Sequence, residues 1–168
     1  MDIKFVPITP KTLKIGKITN TLMRAIEAEG EAQKRELDKT VTTWKNRPTF
    51  KYDVALYRDD VSLLVYPTGD QKGVDNWNRI DRGTRPHTIT ARRAPTLRFR
   101  TGYRAKTRPR QFTSGASRRS GPWVSPKTVR HPGIEAREWS QTLVNRRKRP
   151  FTRSMSRAVY EGTRKVFR

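Results

Sequence analysis

The residues of this chain best equipped for chemistry are its arginines. Arg104, Arg108, Arg110, Arg118 and Arg119 stand with Lys106 in a stretch, 103–122, whose other members are mostly Ser, Thr, Gly, Ala and Pro. Tyr103 and Phe112 are the only apolar side chains larger than alanine that this stretch offers a core. A guanidinium presents a planar fork of donors to a phosphate or a carboxylate, and a nearby aromatic ring can stack on a base. The pattern therefore reads as sequence-independent phosphate contact, or as an anchor on an acidic protein surface. No helix-turn-helix, zinc finger or single-strand platform accompanies it, so specific base reading is not expected.

The other reactive residue types are poorly placed for catalysis. Asp59 and Asp60 fall in a turn between two strands, and Glu135 and Glu138 share a segment with Arg137 and further bases. Gly115 and Gly121 lie in a Ser/Arg loop, without the strand-to-helix setting of a phosphate loop. His87 and His131 each neighbour a proline, which suits turn residues that bond the backbone, and neither belongs to a triad arrangement. The absence of cysteine excludes disulfides, thiolate nucleophiles and thiolate metal sites. The expectation is a non-enzyme with no cofactor and no metal.

The elements that must position these residues divide by charge. Residues 1–70 hold 12 Lys/Arg against 10 Asp/Glu, whereas residues 71–168 hold 26 against 5. A field of that sign attracts a polyanion and repels copies of itself. Leu, Ile, Val and Phe total 33 of 168 residues, a thin core for so charged a chain. Partners are therefore expected to supply part of its order. No apolar run approaches the roughly 18 residues of a membrane span, and the N-terminus lacks a signal-peptide layout. The expectation is a soluble protein made inside the cell, with no membrane partner.

Ile15, Ile18, Leu22, Ile26, Leu37, Val41 and Trp44 recur mostly three or four apart, predicting a helix over about 10–44 that Arg47-Pro48 ends. Its middle, Glu27–Glu36, is charged on every face, as in helices that bridge between bodies. Phe50, Tyr52, Val54 and Leu56, then Val61, Leu63 and Val65, alternate as the strands of a hairpin. A short helix over Val74–Ile80 follows, then strands at Thr88–Thr90 and Thr96–Thr101, the latter with Leu97 and Phe99 inward and Arg98 and Arg100 outward. Trp123-Val124 and Thr128-Val129 flank Pro126 in a last edge strand. Two C-terminal helices are predicted, one from Ile134 to the Arg146–Arg149 run and one starting at Pro150. The fold class is α+β: a long N-terminal helix, a mostly antiparallel sheet with helices on one face, C-terminal helices and a long basic loop or arm over 103–122.

Two segments carry a resemblance. The first is Trp77-Asn78-Arg79-Ile80-Asp81-Arg82-Gly83-Thr84-Arg85-Pro86-His87-Thr88-Ile89, followed by Ala94-Pro95-Thr96-Leu97-Arg98-Phe99. The second is Val129-Arg130-His131-Pro132-Gly133-Ile134-Glu135-Ala136-Arg137-Glu138-Trp139. In this order they resemble the tail-completion or tail-terminator (neck) family of tailed bacteriophages, of the minor tail protein Z type. Its pattern has an acidic residue, then x-Gly-Thr-x-Pro-His-x-Ile, a Leu-x-Phe strand, and Val-x-His-Pro-Gly-x-x-Ala-Arg-aromatic. Asp81 stands where glutamate is more usual. Either Trp139 takes the aromatic's place, or Arg149-Pro150-Phe151 does after an inserted helix. The 103–122 loop is longer and more basic than the pattern requires.

The resemblance, which spans about residues 10–165, implies a single tail-completion domain over 1–168. It implies a virion structural protein that forms a ring, usually sixfold, at the top of the tail or in the neck, assembled in the host cytoplasm. Its partners would be copies of itself, the head connector or stopper, the tail-tube protein, and the genomic DNA backbone in the lumen. Arg104, Lys106, Arg108, Arg110, Arg118 and Arg119 are then the candidates for DNA or subunit contact. Gly83, Thr84, Pro86, His87, His131, Pro132 and Gly133 read as turns that aim the strands and the arm. The alternative from another class is a sequence-independent nucleic-acid-binding protein of ribosomal or chromatin type.

Overall fold

The computed structural model describes residues 15–57, 60–113, 115 and 117–166. It has an α+β fold: a long N-terminal helix, small antiparallel sheets and a long C-terminal helix. The chain forms two compact units. One consists of the described residues up to Glu29 together with those from Lys148 onward, and the other of Gly30–Arg147. The boundary inside the first helix falls in its all-round charged stretch.

Helix α1 spans Ile15–Asp38 and tightens into a 3-10 turn, Lys39–Val41. It stops earlier than its apolar stripe suggests, because the run Thr40-Val41-Thr42-Thr43 is poor helix sequence. Thr40 and Thr42 turn their hydroxyls back onto the carbonyls of Leu37 and Lys39, at 2.6 and 3.4 Å. Residues 10–14 of the expected helix lie outside the described residues.

Asp38 ends α1 with no side-chain capping bond. Burial pushes its carboxyl above the usual carboxylate range, opposed by Lys34 and Arg47 and reinforced by Glu31. The folded state thus holds this proton more tightly than the unfolded chain. The associated stability is complete below the ordinary carboxylate pKa and is lost as pH rises through the folded one. A negative charge at a helix C-terminus also opposes the macrodipole. Asp38→Asn should therefore stabilise the protein at pH 7 by about 0.5 kcal/mol, and thermal melts should show the gain vanish below about pH 4.

In the Gly30–Arg147 unit, strands β1 (Thr49–Tyr57) and β2 (Asp60–Thr68) form an antiparallel hairpin. Its register sets Phe50 opposite Pro67, Tyr52 opposite Val65 and Val54 opposite Leu63, so the apolar side chains share a face. The expected turn residues Arg58 and Asp59 lie outside the described residues. Asp70 then caps α2 (Gln71–Arg82), its carboxylate accepting from the Gly73 N–H at 3.1 Å. Gly73, Trp77 and Asp81, four apart, are the buried positions of α2.

The core of this unit gathers Leu37, Val41, Phe50, Trp77, Phe112, Trp139 and Leu143. Trp77 and Trp139 stack at 6.0 Å between centroids, and Phe50 meets the Trp77 ring edge-on at 5.3 Å. Both buried indoles are satisfied: Trp77 Nε1 donates to Thr40 Oγ1 at 3.1 Å, and Trp139 Nε1 to the Gln111 carbonyl at 2.7 Å.

Residues 84–104 and 118–134 run antiparallel as three short strand pairs in succession, a ribbon interrupted by loops. Strand β3 (His87–Thr90) pairs with β8 (Thr128–His131), β4 (Phe99–Arg100) with β7 (Trp123–Val124), and β5 (Tyr103–Arg104) with β6 (Arg118–Arg119). Between the first two pairs, Ala91 and Leu97 donate to the carbonyls of Lys127 and Pro126, so 92–96 loop outward. The segments 103–104 and 118–119, read as loop from sequence, are thus paired strands. The apex of the ribbon also returns to the core, where Thr107 and Phe112 are buried.

The C-terminal region is one helix, α3 (Trp139–Val166), with Pro150 inside it. This corrects the expectation of two helices, and of a first one beginning at Ile134. Residues 134–138 lie outside any helix, and Gly133 and Glu138, with positive φ at 90° and 53°, turn the backbone on either side. Pro150 forfeits a single helical bond, and Thr152 hydroxyl donates to the Lys148 carbonyl across it at 3.0 Å. In the smaller unit Ile26 and Ala158 are buried, and Gly162 lets Ile18 approach where a Cβ would lie 2.8 Å from its Cα. Among the described residues no helix is long and apolar enough to cross a membrane.

Candidate functional site

The two resembling segments, some fifty residues apart in the chain, meet at the base of the ribbon. Thr84 and Ile134 exchange backbone bonds at 2.9 and 3.1 Å, and the Ile134 N–H also reaches Thr84 Oγ1 at 3.0 Å. Gly83 and Gly133 turn the two strands into this bridge at φ 75° and 90°. A Cβ on Gly83 would lie 2.7 Å from the Ile134 carbonyl, and one on Gly133 would land on the Thr84 carbonyl.

His87 stands opposite His131 in the register, and their rings stack at 5.0 Å. Each closes its own proline corner. His131 Nδ1 accepts from the Gly133 N–H at 3.0 Å, across Pro132, and His87 Nδ1 lies 3.0 Å from the Arg85 carbonyl, across Pro86. The Arg85 contact suits the His87 tautomer protonated on Nδ1, and the Gly133 contact suits the His131 tautomer protonated on Nε2.

Two buried charged residues complete this corner, Asp81 and Arg137; both belong to the resembling segments, but neither was among the candidate site residues. Asp81 accepts from the Trp139 and Ser140 N–H groups at 2.6 and 3.2 Å and from the Ser140 hydroxyl at 2.6 Å. It thus caps α3 from 58 residues away. The backbone follows the same course: Arg137 and Glu138 donate to the carbonyls of Ile80 and Asp81, each at 3.0 Å. The Arg137 side chain is only 7% exposed, with Nε donating to Thr107 Oγ1 and Nη1 to the Glu135 carbonyl and carboxylate. Asp81 fixes the start of α3 and Arg137 fixes the ribbon apex. The available signal was a carboxylate four residues beyond Trp77 on the buried stripe of α2.

The basic candidates separate into two groups. Lys106 donates to the Thr43 carbonyl at 3.1 Å, and Arg110 Nε pairs with Glu138 at 2.8 Å, so both hold the ribbon apex to its own unit. Arg110 and Glu138 are the positive-φ non-glycine residues among those described, and they touch each other. Arg104, Arg108 and Arg119 are exposed. Arg119 lies over the Tyr103 ring at 5.8 Å. Arg118 is placed by its backbone in β6, and its side chain lies outside what is described, as do Ser114 and Ala116.

The structure adds residues that the sequence reading left aside. Trp123, 59% exposed, stands opposite Arg100 in the register, with Arg98 and Arg100 guanidinium carbons 5.2 and 6.0 Å from its ring centroid. From Arg82 to Ile134 the chain carries no acidic residue. An open hollow of about 580 Å³ beside Asp81 is lined by Tyr66, Trp77, Arg82, Glu138 and Gln141. Both of its carboxylates are engaged, Asp81 by α3 and Glu138 by Arg110. Among the described residues no group of three or more His, Asp or Glu is placed to hold a metal ion. Comparison with protein-family models, with curated proteins and with solved structures found no match to this chain.

Proposed function

We propose that this chain is a structural subunit of a tailed-phage virion. It closes into a ring, sixfold by the resemblance, at the head–tail neck, where it completes the tail and docks it to the head connector or stopper. It acts by assembly and not by catalysis. The observation that carries the reading is that the two resembling segments fold as one clamp. Gly83, Thr84, Gly133 and Ile134 make the bridge, and Asp81 and Arg137 join α2, α3 and the ribbon to it. Residues of a shared motif that serve one architectural joint need no ligand to account for them.

One further feature supports ring formation, and the charge decides what must fill the ring. Among the described residues β1 and β2 pair only with each other, leaving outer edges for a neighbour's strand. A heterologous contact of that kind repeats around an axis until it closes. The electropositive part, multiplied by the subunit number, calls for a negative filler, which DNA in the lumen provides. Exposed Arg104, Arg108 and Arg119 are then the lumen candidates, while Lys106 and Arg110 serve the subunit itself. The tail-tube protein is the partner on the opposite face of the ring.

The particle mass of nucleic-acid-free protein at low and high salt tests this reading. A discrete hexamer, or a monomer that becomes a ring on adding tail-tube protein, is the expected result. A persistent monomer that binds any duplex or RNA with steep salt dependence, and ignores tail proteins, would replace it with the ribosomal or chromatin-type alternative.

A further inference from the structure

We infer that the ribbon carries a binding site for single-stranded nucleic acid centred on Trp123, with Arg98 and Arg100 as its phosphate contacts. The inference shares with the proposed neck role the assignment of a nucleic-acid partner, but it does not depend on ring closure.

The four tryptophans differ in burial. Trp77 and Trp139 are buried and stack on each other, and Trp44 is half-buried against the Trp139 ring. Trp123 alone of the four is exposed, at 59%, on a two-stranded ribbon that could have buried Val124 or Phe99 alone. Alternation puts Phe99 and Val124, both half-buried, on one side of β4 and β7, and Arg98, Arg100 and Trp123 on the other. Arg100 Nε is tethered to the Gly121 carbonyl at 3.3 Å, which holds its guanidinium beside the ring. A second ring of the same kind follows along the ribbon. Tyr103, 60% exposed, faces Arg119 in the β5–β6 register.

Charge selects the occupant. With no carboxylate from Arg82 to Ile134, an arginine-rich or neutral partner surface finds no complement here, whereas a phosphodiester chain does. The exposed rings select further. An indole flanked by guanidinium groups is the platform on which an unpaired base stacks while its neighbouring phosphates meet the arginines. A duplex keeps its base faces covered and uses the arginines alone.

The test uses the full chain, freed of nucleic acid, with a fluorescent thymidine oligomer of about twenty nucleotides, longer than one stacking site. Trp123→Ala should weaken binding by about tenfold, whereas Trp123→Phe should keep most of the affinity and abolish the quenching of tryptophan emission expected of wild type on binding. Replacing Arg98 and Arg100 by Gln should lower the salt slope by about 1.4. Heparin, which has charge but no bases, should bind wild type and Trp123→Ala alike. Unchanged oligomer affinity in Trp123→Ala would overturn the inference, as would tighter binding of a same-length duplex that the variant leaves untouched. So would a Trp123→Ala variant that loses self-association and keeps its affinity for the oligomer, since Trp123 would then belong to a contact between copies. Particle mass reads the ring separately. Oligomer binding lost in Trp123→Ala without any ring would leave this inference standing and the neck role not, and the converse pattern would reverse them.

Discussion

Gly133→Ala is expected to lower the melting temperature by about 10 °C or more, or to leave the protein insoluble. The added methyl would land on the Thr84 carbonyl oxygen and come within 2.9 Å of the Arg85 carbonyl carbon and 3.0 Å of Pro86 N. All of these are backbone atoms, so no side chain can swing away. The backbone there sits at φ 90°, a conformation that L residues rarely adopt and that costs about 1–2 kcal/mol before any collision is counted. Relief requires parting Thr84 from Ile134, which opens the base of the ribbon and strains the His131 corner. At roughly 2–4 °C per kcal/mol for a chain of this size, a loss of about 3–5 kcal/mol gives the stated shift. Gly115→Ala is the matched control, since the nearest atom to its methyl is the Lys106 carbonyl oxygen at 3.4 Å. Near-wild-type melting of Gly133→Ala would mean that the joint is not built as described.

Asp81→Ala comes next in size, with an expected loss of about 3 kcal/mol. The carboxylate takes two N–H groups at the start of α3 and the Ser140 hydroxyl, and the residue is 7% exposed. Removing it leaves the Trp139 N–H without its acceptor in a buried place, a cost larger than that of losing a hydrogen bond to water. Asp81→Asn keeps one acceptor oxygen, and the Ser140 hydroxyl can reverse to accept from the new amide, so about 1 kcal/mol should suffice there. The two variants also differ in their tertiary signature. Trp139 stacks on Trp77 at 6.0 Å, so slackening the start of α3 in the alanine variant should flatten the near-UV circular dichroism well below the melt. The asparagine variant should keep it. Equal stability of both variants to wild type would show that α3 is held by the burial of Trp139 and Leu143 alone.

Much of the fold can be read in local pattern, and the failures have a common cause. The β1–β2 hairpin and α2 follow from alternation and from spacing by four, because each buries one face by itself. The inward Leu97 and Phe99 and the outward Arg98 and Arg100 follow from the same rule. The pairing of 87–104 with 118–131 does not, because strands of two residues with prolines and glycines between them carry no local signal of their partner. Nor does the return of the apex to the core, which rests on the single residues Thr107 and Phe112. Pro150 looked like a helix start because proline favours that position, and its place inside α3 is set by anchors on either side, Leu143 and Ala158. The candidate site was half legible. Runs of basic residues announce charge, but which of them are engaged within the unit depends on Glu138 and the Thr43 carbonyl, far away in sequence. Trp123, read only as part of an edge strand, gained meaning once Arg98 and Arg100 stood beside it.

We propose a ring subunit at the end of a phage tail. Electron microscopy of the protein mixed with assembled tail tubes tests it most directly. The expected result is closed rings at one end of each tube, with an axial lumen wide enough to pass duplex DNA. Tubes left bare at both ends, with the protein instead coating any added nucleic acid along its length, would contradict it.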